Sequence, residues 1–274
     1  MGLSSNILWH QTDKKGLTSI LREKRLRYGY SRESIFVKAK KDELAIPMVS
    51  VCDLPFSEMD SFLGKYGNYA IGLSLDWGKR NGLNPVWYCL GKSNVLTQMA
   101  KRFEKAKTLE ELKTIFDILS YIKYVEGVLP KKNYRNYRFY DEREYRKCPT
   151  IDELQKGGFK PLLTNQGYSD YKKEHSNSSS MDLGIPFEWS DVKYIIVFNT
   201  QNIDEFKEEL RKRGCDNAQI SIFTEDQVRQ DFIGIKHDEL YVEESTNPTM
   251  DLVTGRKSIV DFLIQDMNKN NKDI

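Results

Sequence analysis

The sequence predicts an α+β fold: a mixed β-sheet core, a helical segment inserted into it, and a β-α-β-α stretch near the C-terminus. Three observations predict it. Short runs rich in β-branched and aromatic residues recur from Ile7 to Phe223. Amphipathic spacing takes over between Ser93 and Tyr124. After Ile185, strand and helix patterns alternate, which is the order of a locally parallel sheet. With 274 residues the chain can bury a core without disulfides or metals, and a single domain over 1–274 is expected. Its 42 basic and 40 acidic residues leave a net charge of +2, so any attraction to nucleic acid comes from local patches. Four cysteines without Cys-x-x-Cys spacing argue against a zinc site and a secreted disulfide scaffold. No signal-like leader and no run of about eighteen apolar residues is present, so a cytosolic protein with no membrane contact is expected.

Ile7-Leu8-Trp9-His10-Gln11-Thr12 reads as a first strand, followed from about Lys15 by a helix with Leu17, Ile20 and Leu21 on one face. His10 falls where strand meets loop, where a hydrogen-bonded structural histidine is commoner than a ligand. Ile35-Phe36-Val37 and Pro47 to Cys52 are strand-like. Pro55 then interrupts the pattern, and Ser57 with Asp60 suggests a helix start running towards Gly64. In Tyr66 to Ser74 the small Ala70 and Gly72 alternate with larger residues. This reads either as close packing or as a pocket floor on which a flat ring lies against Tyr66 or Tyr69. Trp87-Tyr88-Cys89 is another strand, and the helical insertion spans about 91–127, broken where Thr108 and Glu111 form a capping box.

Lys131-Lys132-Asn133-Tyr134-Arg135-Asn136-Tyr137-Arg138 interleaves cations and aromatics. It reads as a solvated basic loop or as a nucleic-acid contact through Lys131, Lys132, Tyr134, Arg135, Tyr137 and Arg138. It leads into Phe139 to Arg146, read as one short strand. On an extended chain Glu142, Glu144 and Arg146 share a face, and Arg143 and Tyr145 share the other. Two acids side by side raise each other's proton affinity unless a cation intervenes, which is how catalytic carboxylates are poised. The plainer reading is a charged edge strand. Residues 165–184, rich in Ser, Asn, Lys and Tyr, read as a mobile loop. Val192 to Phe198 and Gln219 to Phe223 read as strands, Ile203 to Arg213 as a helix, and Thr224 with Gln227 as a helix cap. Arg256 to Met267 reads as a last helix, and 268–274 as a disordered tail. Phosphate-loop, dinucleotide-turn, zincin and serine-elbow motifs are absent. His175 and His237 lie far from His10 in the chain, and no metal site is expected.

Taken in order, Trp9-His10-Gln11-Thr12, Ile46 to Pro55, Tyr66 to Ser74, Asn84-Pro85-Val86-Trp87-Tyr88 and Asp141-Glu142-Arg143-Glu144 resemble the AbiGi family of abortive phage-resistance proteins, over roughly residues 7 to 235. That resemblance implies antiviral defence and the antitoxin side of a toxin-antitoxin pair. A more distant resemblance joins a histidine on a first strand, an aromatic beside small residues on a second and Glu-x-Glu on a later one. It is similar to the split-sheet NAD+ site of ADP-ribosyltransferases, which are glycosyl-transferring enzymes. It implies an ADP-ribosyltransferase-like split mixed sheet, NAD+ as cofactor and a nucleic-acid or protein acceptor. On this resemblance His10, with Gln11 and Thr12 beside it, holds the cofactor, Tyr66 or Tyr69 stacks on nicotinamide, and Ser74 lines the pocket. Glu144 is the catalytic carboxylate that stabilises an oxocarbenium-like ribose, Glu142 orients or deprotonates the nucleophile, and Arg143 or Arg146 meets the pyrophosphate. The rival reading is a non-enzymatic AbiGi-like antitoxin or sensor, binding a toxin partner or nucleic acid on the same fold.

Overall fold

A computed structural model describes residues 5–33, 44–91, 93–129, 134–176, 178, 180–215 and 220–230. The expected strand at Ile35-Phe36-Val37, the helix Arg256 to Met267, the tail 268–274 and His237 lie outside the described residues. The elements run β1 (Ile7–Thr12), α1 (Lys14–Glu23), β2 (Arg25–Glu33), β3 (Leu44–Cys52), α2 (Met59–Phe62), β4 (Tyr69–Ser74), α3 (Leu75–Arg80), β5 (Asn84–Pro85), β6 (Trp87–Cys89), α4 (Asn94–Lys105), α5 (Leu109–Leu119) and β7 (Ile122–Tyr124). They continue with β8 (Glu126–Leu129), β9 (Tyr134–Arg138), β10 (Glu144–Lys147), α6 (Ile151–Lys156), α7 (Asn165–Glu174), β11 (Ser180–Pro186), β12 (Val192–Val197), α8 (Thr200–Lys212), β13 (Ser221–Thr224) and α9 (Glu225–Gln230). The fold is α+β around a large mixed sheet.

Nine of these strands form one sheet, with the path β11-β2-β3-β1-β4-β12-β13. Its fork decides where the site lies. The first part of β3 pairs with β2, from Leu44↔Glu33 to Met48↔Gly29. The last part pairs with β10, from Val49↔Lys147 to Cys52↔Glu144, and β10 in turn holds β5. On its other edge β3 meets β1 at Trp9↔Cys52. The C-terminal β12 and β13 pair in parallel across α8, as the alternating pattern after Ile185 predicts. Thr224 and Gln227 cap α9 reciprocally.

Both faces of the sheet are packed. Leu8, Val49, Val51, Tyr69, Ile71, Leu73, Ile195 and Val197 point to the face covered by α1, where Leu17, Ile20 and Leu21 are buried as their spacing predicts. Trp9, Cys52, Ala70 and Ile196 point to the other, against Leu54, Met59, Phe62 and Val228. The Trp9 indole donates to the Leu54 carbonyl and lies flat against Tyr194, with ring centroids 5.8 Å apart. A Cβ on Gly72 would come within 2.9 Å of Ile7 and of the Trp9 ring, so close packing explains the small residues of β4. Trp9→Ala would remove the centre of this layer, at a cost of about 3–5 kcal/mol.

Three expectations change. Residues 165–184 are not a loop: Thr164 caps α7, whose Tyr168 and Tyr171 pack on the core, and β11 follows. A polar composition concealed one apolar face. Phe139 to Arg146 is not one strand, because Phe139–Glu142 is a 3-10 turn ended by Arg143 at φ 43°, and only Glu144–Lys147 is extended. β2 escaped the sequence reading although its buried Leu26, Tyr28 and Tyr30 alternate with polar residues. The helices expected between Ser93 and Tyr124 form as α4 and α5, separated by the Thr108–Glu111 capping box, but Ile122–Tyr124 is the strand β7 rather than the end of the second helix. With β6 and β7 they enclose a small core of Cys89, Leu96, Ile115, Leu119 and Ile122.

Candidate functional site

At the fork, strand alternation sends Ser50 and Cys52 of β3 and Glu144 and Arg146 of β10 to one face. The αL turn at Arg143 reverses the chain just before β10, so Glu142 comes to lie beside Glu144 although it is not on the strand. β7 brings Lys123 from the helical insertion between them. Its Nζ donates to Glu142 Oε2 at 2.9 Å and to Glu144 Oε2 at 2.7 Å. Arg146 Nε reaches Glu144 Oε1 at 2.5 Å, its Nη2 reaches Glu33 Oε1 at 2.6 Å, and its Nη1 donates to the Ser120 carbonyl. Ser50 Oγ donates to Glu144 Oε1 at 2.7 Å. Tyr66 donates its hydroxyl proton to Glu142 Oε1 at 2.5 Å, and the Tyr137 hydroxyl also bonds Glu142. Glu142, Glu144 and Arg146 are 2 %, 3 % and 1 % exposed.

Three carboxylates and two cations thus share a largely buried volume, where pairing rather than solvent offsets the cost of burying charge. Burial pushes the Glu144 carboxyl up, but Arg146 and Lys123 outweigh it and hold the acid well below the usual carboxylate range. At Glu33 burial wins over Arg146, and that carboxyl is raised. Burial lowers Lys123, whereas Glu144 and Glu142 more than reverse this, so its ammonium is held strongly. Burial and then Glu142 push the Tyr66 and Tyr137 phenols far up, so both are donors. Cys148 is pushed up to about 12 by burial, against the pull of Arg146, which leaves it a thiol.

The other expected residues fall in different places. His10 lies on β1 beside the fork, and its Nδ1 donates to the Ser50 carbonyl at 2.9 Å. Burial lowers its proton affinity against that bond, so it is a neutral imidazole. Of the two tyrosines, Tyr66 reaches the acids. Tyr69 points to the opposite face, against Phe206, with its hydroxyl on Asn202. Ser74 is a correction. It caps α3 and opposes Ile7, while His10 opposes Ile71, so it lies at the far end of β4. There it lines a groove of about 490 Å³ with Asp76, Lys193 and Tyr194. Arg146 is committed to Glu144, Glu33 and Ser120 rather than presented to a pyrophosphate. Arg143 is half-buried, and its carbonyl accepts from Asp53 N. Thr12 is half-buried beside Gly16.

Of the basic stretch, Lys131 and Lys132 lie outside the described residues, and Tyr134 and Arg135 lie on β9. Tyr137 turns inward to Glu142 and Lys65, a correction to its reading as a base-stacking group. Arg138 is exposed over Tyr140 and near Asp141. Among the described residues no group of three His, Cys, Asp or Glu could hold a metal, and no helix is long and apolar enough to cross a membrane. Lys123, Glu33 and Ser50 were missed. Lys123 falls in the stretch read as helical, so its strand position gave no signal.

A profile of the family described as "Putative abortive phage resistance protein AbiGi, antitoxin" matches residues 15–198, more than half of the chain. The chain belongs to the AbiGi family. The abortive phage resistance protein AbiGi of Lactococcus lactis subsp. cremoris is 26 % identical over 183 residues, covering 57 % of this chain and 72 % of its own length. No solved structure matches the chain significantly. The region matched by the AbiGi profile runs from α1 to the end of β12 and includes every member of the buried ion cluster.

Proposed function

We propose that this AbiGi-family chain serves phage defence as an antitoxin-type binding module, with the ion cluster locking the helical insertion to the sheet. One observation carries this reading: both oxygens of Glu144 are occupied, Oε1 by Arg146 and Ser50 and Oε2 by Lys123. A carboxylate that must meet a developing ribose cation needs a free oxygen facing substrate. The family's description as an antitoxin agrees with it. The test is co-expression with a candidate toxin encoded beside this chain. Wild type and Glu144→Gln should both restore host growth wherever the variant folds. Growth restored by wild type alone, with the variant folded, would overturn the reading.

A second reading is favoured by the Tyr66 ring held beside the Glu142–Glu144 pair, with His10 on the neighbouring strand bonded to the Ser50 carbonyl. Here an ADP-ribosyltransferase-like fold transfers ADP-ribose from NAD+ to a nucleic-acid or protein acceptor. His10 holds the ribose, Tyr66 stacks on nicotinamide, and Glu144, released from Lys123, stabilises the oxocarbenium-like ribose while Glu142 receives the acceptor proton. Nicotinamide release from labelled NAD+, with and without cellular RNA and protein, separates the two. The transferase reading expects turnover that falls about a hundredfold in Glu144→Gln, and the binding-module reading expects none.

A further inference from the structure

β1 and β3 meet at Trp9↔Cys52, and one residue later the His10 imidazole bonds the Ser50 carbonyl in place of a ladder N–H. Gln11 follows. It opposes Ala70 of β4, so its side chain shares the face of Trp9 and Ala70, the face that also carries Ser50, Glu144 and Arg146. Its Oε1 and Nε2 are both buried, and neither has a hydrogen-bond partner. Among the described residues the remaining orphaned side-chain atom of this kind is a single oxygen of Glu225. A buried amide left wholly unbonded is costly, and native structures rarely keep one without a reason. On that side of the sheet the other polar groups are already engaged: Trp9 Nε1 with Leu54, Ser50 Oγ with Glu144, and Tyr66 with Glu142.

We propose that Gln11 is the recognition residue of a small-molecule site in the gap between β1 and β3. A side-chain amide offers an acceptor and a donor side by side in one plane. Its complement is a planar group with the same pair reversed, either a primary carboxamide or the amino and ring-nitrogen edge of adenine. The cover is the loop after α2, where Gly67 lies so close that a Cβ would come within 2.0 Å of the Thr12 carbonyl oxygen. Tyr66, next to it, is 37 % exposed and held at its hydroxyl by Glu142. The site extends the NAD+ reading, since that dinucleotide carries both edges, but a carboxamide bound without turnover leaves the site standing and that reading fallen.

The experiment compares wild type with the near-isosteric Gln11→Met, using nicotinamide, adenine and benzoate as probes in thermal melts and titrations. Without a probe, Gln11→Met should raise the melting temperature by about 2–4 °C or more, because an unpaired polar group is removed. Nicotinamide or adenine should stabilise wild type, and the effective one identifies the edge recognised. Gln11→Met should weaken that binding at least about tenfold, and benzoate, which lacks the donor, should not bind. The Gln11 side-chain NH2 resonances of wild type should also shift on adding the effective probe, a readout that does not depend on the variant folding. Resonances unmoved by either probe, binding unaffected by Gln11→Met, or a lowered melting temperature in that variant would overturn the proposal, the last by showing that protein or solvent already satisfies the amide.

Discussion

Glu23 and Glu144 each accept hydrogen bonds from arginine and hydroxyl donors, yet the two clusters differ in what surrounds them. Glu23, at the end of α1, takes Arg27 at 2.6 Å, Arg25 at 3.1 Å, Arg22 at 3.2 Å and Ser19 at 2.8 Å. Burial pushes its carboxyl up, and those four donors bring it down to about 2. Arg22, Arg25 and Arg27 all reach solvent. Around Glu144, Arg146 is as buried as the acid and Lys123 is 13 % exposed. In the first cluster water replaces any lost partner. In the second nothing does, so similar pairs carry very different consequences.

Arg146→Met should sharpen this contrast most. It strands Glu144 and Glu33 in a dry site and should cost about 3–5 kcal/mol in denaturant unfolding. A loss as small as that of a surface arginine would break the comparison. Lys123→Met should cost about 2–4 kcal/mol, because Tyr66, Tyr137, Ser50 and Arg146 still bond the two acids. Glu144, held below the usual carboxylate range by Arg146 and then Lys123, should lose part of that depression in the variant. A depressed carboxyl contributes stability that is present above its unfolded value of about 4.3 and lost as pH falls below it, so the acid limb of the melting profile should be shallower in Lys123→Met than in wild type.

His10 gives the next largest effect, nearer neutral pH. Its folded affinity for protons is lowered. Below about pH 6.5 the unfolded chain therefore binds a proton that the fold refuses, and stability should drop as pH falls from 7.5 to 5.5. His10→Gln should flatten that limb, and an unchanged limb would place the titration elsewhere. Smallest is Arg25→Met, at under about 1 kcal/mol and further reduced by salt.

Much of the fold was legible because local physics repeats along the chain. The apolar stripe of α1, the Thr108 box and the parallel β12–β13 pair follow from spacing and caps. α7 was not, since its half-buried Tyr168 and Tyr171 sit among polar residues and their packing face emerges only once β3 lies beneath it. The site was half legible. The Glu-x-Glu-x-Arg spacing announced that Glu142, Glu144 and Arg146 belong together. Its reason was different: Glu142 arrives through a left-handed turn at Arg143 rather than by strand alternation.

The sequence by itself determined the α+β class, the helical insertion, the absence of the common nucleotide-loop motifs and a cluster of charges around residue 144. Only the tertiary structure decided that Lys123 and Glu33 complete the cluster, that Tyr66 rather than Tyr69 reaches it, that Ser74 lies far from it, and that Gln11 is left without a partner. Each of these depends on the face to which a strand turns and on which distant strand lies beside it. Contacts 21 and 113 residues apart in the chain leave no periodic trace in it.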